Sequence, residues 1–318
     1  MKDKLIGLLA AAAANAIFGL NIPVTKALVA HWMTPMGYTM TRMFFGALVF
    51  WTIALFLKRE RVAAADLVTV IIGGLLGYLG TQFLFSQSLK YTTPVIFALM
   101  ISLTPVAALL LSAVFLKESV SRRKIMGIVL SISGAFLVIL EGRGAGTGSN
   151  NALGILLVIL CVFFYAGYLV MTRKVAVTYT PVTIAKWMFL VSALALVPLA
   201  PSELPHQTIY SGDGTLLAFC LLGFALLFST TLAFFCLPLA LKKLEASTVS
   251  IFMNLQPIVA SVVAIGVGQD TLTWDKSLAA LLVLSGVYLV SSNRSGKTDA
   301  PRLLGVLKRA GKIRIGNF

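Results

Sequence analysis

Residues 93–116 read TPVIFALMISLTPVAALLLSAVFL. The run carries no charge and is long enough to cross a bilayer, whose hydrocarbon core takes about 20 apolar residues as a helix. Ser102, Thr104 and Pro105 stand in its middle. Proline inside a helix removes a hydrogen bond and clashes with the preceding turn, so a kink or hinge is expected there. The pattern returns later in the chain. A shift of about 152 positions lays Ser102-Leu103-Thr104-Pro105-Val106 over Asn254-Leu255-Gln256-Pro257-Ile258, and carries Glu118 onto Asp270, Lys124 onto Lys276 and Gly134 onto Gly286. A slightly smaller shift lays Phe18-Gly19-Leu20-Asn21 over Tyr165-Ala166-Gly167-Tyr168, and Lys26 over Arg173. Such self-similarity marks an internal repeat.

Working outward, similar apolar windows bounded by charges or turn residues place helices near 4–28, 35–57, 66–89, 93–116, 121–140, 152–172, 181–199, 214–240, 247–268 and 274–292. The chain is 58% hydrophobic and 12% charged, whereas a soluble domain is about a quarter charged, so an all-α membrane protein of ten spans is expected. The first run, residues 5–28, reads as a retained helix because no small-residue cleavage site follows it. If the amino terminus is cytoplasmic, about 20 Lys and Arg fall in inner breaks, from Lys2 to the basic tail. Only Lys90, Arg143 and Lys276 fall outside. The positive-inside rule then puts both termini in the cytoplasm. Five spans per half is an odd number, so the second half enters from the opposite face. The expected organisation is two inverted repeats, 1–145 and 146–293, and a cytoplasmic tail, 294–318, which is either solvated or laid on anionic lipid as a short basic helix.

These features exclude several function classes. The net charge of +15 comes from residues at helix ends, not from a basic face on a soluble module, so no nucleic-acid partner is expected. Cys161, Cys220 and Cys236 lie singly in apolar runs, without metal-site or disulfide spacing. The two histidines, His31 and His206, fall in outer loops with no acid at catalytic spacing. Neither an enzyme nor a bound metal or cofactor is expected. Two inverted halves around a midplane site suit a secondary carrier that rocks between states; a channel-like permease is the alternative, though no ring of filter residues appears.

The Phe18-Gly-Leu-Asn21…Lys26 opening, the Leu103-Thr-Pro105…Glu118 element followed by Arg123, Gly127 and Gly134, and their second-half counterparts resemble the tandem EamA domains of the drug/metabolite transporter superfamily. The likeness covers about residues 5–292. It implies a ten-helix inner-membrane carrier with a central cavity, often an exporter of amino acids or other metabolites; multidrug and nucleoside exporters belong to the same superfamily. The sequence departs from the pattern at Asp270, which stands opposite Glu118, and at Phe18 in place of tryptophan.

Polar groups at membrane depth are costly and mark candidate sites. Asn15 and Asn21 are six residues apart, so at most one faces a cavity squarely; the other reading is hydrogen bonding between helices. Arg42 reads first as an ion-paired or snorkelling arginine near the outer surface, with a substrate carboxylate as the alternative for its fork. Lys26 and Lys186 read as snorkelling side chains. Tyr78, Gln82 and Ser86 recur every four residues, and Tyr165, Tyr168 and Thr172 repeat the stripe in the second half. Ser102, Asn254 and Gln256, with Pro105 and Pro257 as hinges, form the preferred site. Glu118 and Asp270 read as helix-end caps or ion pairs on opposite faces. The Gly73…Gly77 and Ala260…Ala264…Gly268 spacings allow close helix contact within a monomer or in a dimer, the monomer's own bundle being preferred. The partners expected are lipid and a small solute, neutral or zwitterionic and partly apolar. A phosphorylated solute would want more buried cations.

Overall fold

The computed structural model describes residues 2–115, 120–144, 151–244, 252–271 and 273–291. Glu118 and the tail from Arg294 lie outside the described residues. The described residues are helical, with no strand among them. In chain order the helices are α1 (Lys2–His31), α2 (Pro35–Leu55), α3 (Ala64–Tyr91), α4 (Pro94–Phe115), α5 (Arg122–Gly144), α6 (Asn151–Thr178) and α7 (Pro181–His206, ending in short 3-10 turns). Then come α8 (Leu216–Phe224, continuing through Ala225–Leu232 to Ala233–Lys243), α9 (Leu255–Gly266) and α10 (Trp274–Ser291). Nine of the described helices are long and apolar enough to cross a membrane, and α9 is a shorter apolar helix.

The packing inverts that of a soluble protein. Leu48, Val114, Val262 and Leu281 point outward with more than 60% of their surface exposed, while Asn15, Asn21, Thr25, Arg42, Ser86 and Ser229 are buried. In lipid this is the favourable arrangement, because the polar groups find partners inside the bundle. Small residues let backbones approach. A methyl added at Gly127 would lie 2.7 Å from the Gly286 carbonyl, which brings α5 onto α10. Gly77 leaves room for the Tyr168 ring, where any side chain on α3 would overlap it. Ala260 and Ala264 are fully buried, so these small-residue faces are spent on the chain's own packing.

Three local features depart from straight helices, and they recur in matching places. Gly74–Gly80 of α3 and Ala225–Leu232 of α8 are π-helical. Thr81, directly after the first, and Thr230, within the second, donate their hydroxyls five residues back, to the carbonyls of Leu76 and Ala225. The α4 span is broken at Ser102–Leu103, between Pro94–Ile101 and Thr104–Phe115. The expected hinge at Pro105 is corrected in one respect: the break precedes the proline. Pro105 and Pro257 sit in the first turn of the helical segment that follows a turn, where a missing N–H costs no bond. The helix pairs also match. α1 lies against α8 and α9 as α6 lies against α3 and α4, while α2 packs on α7 and α5 on α10.

Candidate substrate cavity

Gly77 and Tyr78 of the first π-helical stretch and Ser229 of the second line a cavity of about 840 Å³. Its lining combines the polar Asn21, Arg42, Gln82, Ser229 and Gln256 with the rings of Phe18, Tyr78, Tyr165, Tyr168 and Phe234. The rings form one contact chain. Tyr78 meets Phe189 edge-on at 4.6 Å, Phe234 at 5.1 Å and Tyr168 at 6.0 Å, and Phe18 meets Phe234 at 5.7 Å.

Arg42 is among the lining residues and is 1% exposed. Its Nε donates to Thr230 Oγ1 at 2.8 Å, one terminal nitrogen to Ser229 Oγ at 3.3 Å and the other to Gln82 Oε1. The guanidinium carbon lies 5.5 Å from the centre of the Tyr38 ring. The Tyr38 hydroxyl shares a hydrogen with Thr25 at 2.9 Å and donates to Asn21 Oδ1 at 3.4 Å. The expectation of a snorkelling or ion-paired arginine is therefore corrected. Arg42 reaches neither the surface nor a carboxylate among the described residues, because its side chain is held in the bundle by α3 and α8.

The other expected residues divide. Tyr78, Gln82, Tyr165, Tyr168, Asn21 and Gln256 line the cavity. Ser86 does not: its hydroxyl bonds Thr39 and the Pro35 carbonyl, tying α3 to α2. The stripe ends at Gln82 because one turn further along the same regular helix α2 covers Ser86. Asn15 donates to the Ala11 carbonyl and accepts from Gln256 Nε2 at 2.7 Å, joining α1 to α9. Ser102 and Asn254 line, with Thr104, Tyr165 and Gln256, a second pocket of about 20 Å³ at the two helix breaks. Ser102 is satisfied by the Leu99 carbonyl, whereas the buried Asn254 Oδ1 has no hydrogen-bond partner among the described residues. Sequence reasoning missed Ser229 and Thr230. Their signal was the polar triplet Ser229-Thr230-Thr231 inside an apolar span.

The cavity opens toward the face that carries residues 56–63 and 179–180, where Glu60, Thr178, Tyr179, Thr180 and Pro181 form its mouth. There the Thr180 amide and hydroxyl donate to Glu60 Oε2 at 2.9 and 2.8 Å. Partial desolvation pushes the Glu60 carboxyl up, but the bonds from Thr180 and Thr183 and the nearby Lys186 ammonium outweigh it and hold the carboxyl below its usual range. Lys186 itself stands over the Trp51 ring at 5.2 Å.

The opposite face is sealed. Gln207 takes the Thr34 amide on Oε1 at 2.7 Å and donates Nε2 to Thr34 Oγ1 at 3.1 Å, and the Ile209 amide bonds the Trp32 carbonyl. Lys26 is not a snorkelling side chain: its ammonium donates to the Leu89 and Thr92 carbonyls at the end of α3. Asp270 pairs with Lys276 at 2.7 Å and accepts from the Val95 amide at the start of α4, and Gln269 donates to the Pro23 carbonyl. These bonds tie α1 to the end of α3 and to the end of α9, the end of α9 to α4, and the start of α2 to the end of α7 on this face.

A sequence profile described as the EamA-like transporter family matches residues 5–140 and again 152–292. The Bacillus subtilis (strain 168) protein named uncharacterized transporter YetK is 25% identical over 294 residues, 91% of this chain and 88% of its own. YyaM, an uncharacterized transporter of the same organism, is 26% identical over 228 residues, 70% of this chain and 73% of its own. An uncharacterized transporter of Archaeoglobus fulgidus is 28% identical over 235 residues, 74% of this chain and 81% of its own. A solved crystal structure matches with a TM-score of 0.57 and 19% identity, over 92% of this chain and 98% of that one, a likeness of fold.

Proposed function

Because the chain belongs to the EamA-like transporter family, we propose that it is a secondary transporter working by alternating access. It exports a small, partly apolar metabolite across the inner membrane, with amino acids as the first class to test. The observation that carries this reading is the cavity of about 840 Å³, open at the Glu60–Thr180 face and closed at the Thr34–Gln207 face. That volume suits a small solute. A channel would keep both faces open, so the bridges across the sealed face favour a carrier caught in one of its two states.

The reading includes ten spans arranged as two inverted repeats, with both termini cytoplasmic. It is supported by the helix pairs, which map onto themselves when each helix is exchanged for the one five places on, and by the matched π-helical stretches. The charge asymmetry then makes the open face the cytoplasmic one, as loading of an exporter requires. The halves rock about the α2–α7 and α5–α10 contacts, breaking the bridges of one face and making those of the other.

The test is counterflow in proteoliposomes holding the full chain, preloaded with unlabelled amino acids and offered labelled ones, with and without a proton gradient. Saturable exchange is expected. In a Thr34→Cys, Gln207→Cys pair, a short thiol cross-linker should stop it almost completely and a reducible linker should release it on reduction. Flux that does not saturate, or that survives the cross-link, rejects alternating access.

A further inference from the structure

Resting on the carrier reading above, we infer that the group this cavity recognises is a carboxylate, held by Arg42, and that an amine on the solute adds nothing. The solute class is an organic monoanion with an apolar or aromatic body.

The inference begins with charge. A guanidinium keeps its proton in proteins and offers five N–H donors. Arg42 spends three of them on Thr230, Gln82 and Ser229, one from each nitrogen. One N–H on each terminal nitrogen is left without an acceptor among the described residues. All three partners are neutral, and a buried charge with neutral partners only is costly. The cost makes sense in a cavity whose occupant carries the missing anion. Two donors at the end of one planar group match the two oxygens of a carboxylate.

The rest of the cavity decides what accompanies that carboxylate. Among the described residues Glu60, at the mouth, is the one acid in the lining, and it is already engaged by Thr180. An ammonium placed beside the carboxylate would find no counter-charge there and would feel the repulsion of Arg42. The same lining holds the rings of Phe18, Tyr78, Tyr168 and Phe234, which favour an apolar or aromatic body by ring contact and water exclusion. Phosphate is disfavoured because its second charge has no second buried cation to meet.

The test uses the purified full chain in detergent and equilibrium dialysis with four probes of one shape: 3-phenylpropanoate, its amide, L-phenylalanine and phenethylamine. The wild type is expected to bind the carboxylate at least about 30-fold more tightly than the amide, the scale for a charge pair in a dry site. Phenylalanine should bind no better than 3-phenylpropanoate, and phenethylamine weakest. Arg42→Gln should bring the carboxylate-to-amide ratio close to one, and Arg42→Lys, which keeps the charge and loses the fork, should leave an intermediate ratio. A ratio is read because misfolding weakens both probes alike, and the wild-type comparison needs no variant. Equal binding of carboxylate and amide, a preference for the amine, no binding of 3-phenylpropanoate, or an unchanged ratio in Arg42→Gln each overturns the assignment. Carboxylate binding without saturable exchange in liposomes would instead sink the carrier reading and leave this one standing.

Discussion

Thr34 and Thr180 stand at the same place in the two halves, each directly before the proline that opens a helix, and each reaches a glutamate: Glu203 near the end of α7 at 3.2 Å for Thr34, and Glu60 in the α2–α3 connection at 2.8 Å for Thr180. Their surroundings differ. Thr34 also caps α2 by accepting from the Gly37 amide, and Gln207 clasps it twice. Thr180 makes no side-chain cap bond, and the cavity opens beside it. The helices of the two halves are alike, and the connections around them are not. Which face is closed is therefore set by a small number of polar contacts at helix ends. Such contacts can be exchanged between two states at far lower cost than packed helix faces.

The largest expected effect in that comparison comes from the ion pair that the sealed face has. The Asp270 and Lys276 side chains are 2% and 7% exposed. Asp270→Asn leaves a buried ammonium without its counter-charge and should cost about 3–5 kcal/mol. It should appear as a lower midpoint in thermal unfolding of the detergent-solubilised chain, and Asp270→Leu with Lys276→Met should recover much of it. A loss under about 1 kcal/mol would mean that the pair does not hold this face. The aligned positions on the mouth side are Glu118 and Lys124, of which Glu118 lies outside the described residues.

The threonines themselves come next. Thr34→Ala removes an N-cap bond and should cost about 1 kcal/mol. Thr180→Ala loses a solvated bond to Glu60 and should cost a few tenths of that. Equal losses in the same unfolding assay would erase the distinction between the two latches.

The smallest effect is that of pH on the open face. The Glu60 carboxyl is held below its usual range, so its contribution is present above the unfolded value of about 4.3 and is lost as pH falls through the folded value. Glu60 is largely solvated, which limits the effect to a few tenths of a kcal/mol. The difference in unfolding midpoint between wild type and Glu60→Gln should shrink on acidification through that window. A difference that stays constant there would show that the carboxylate's charge plays no part in the latch.

Much of this architecture is legible in the sequence. Apolar runs, charges at their ends and a repeated Leu-x-Pro element are local properties of the chain, and lipid as solvent converts them directly into helices that begin and end near the expected places. Seven of the residues singled out for the site, Asn21, Arg42, Tyr78, Gln82, Tyr165, Tyr168 and Gln256, line the cavity. Ser86 misled because spacing along one helix does not say which neighbour covers each turn: one turn beyond Gln82, α2 closes over it through Thr39 and the Pro35 carbonyl.

By itself, then, the sequence determined that the chain is a duplicated bundle of membrane helices, because burial in lipid depends on composition and period alone, and its repeated motifs carried the resemblance to the EamA-like family. Only the tertiary structure decided what Arg42 does, since its partners Ser229 and Thr230 lie 187 and 188 residues away. Only it decided which face is sealed, since Thr34 meets Gln207 across 173 residues and Gln269 meets Pro23 across 246. The reason is that a charge or a hydroxyl in a membrane protein takes its meaning from the partner that satisfies it, and that partner is chosen by how the helices pack.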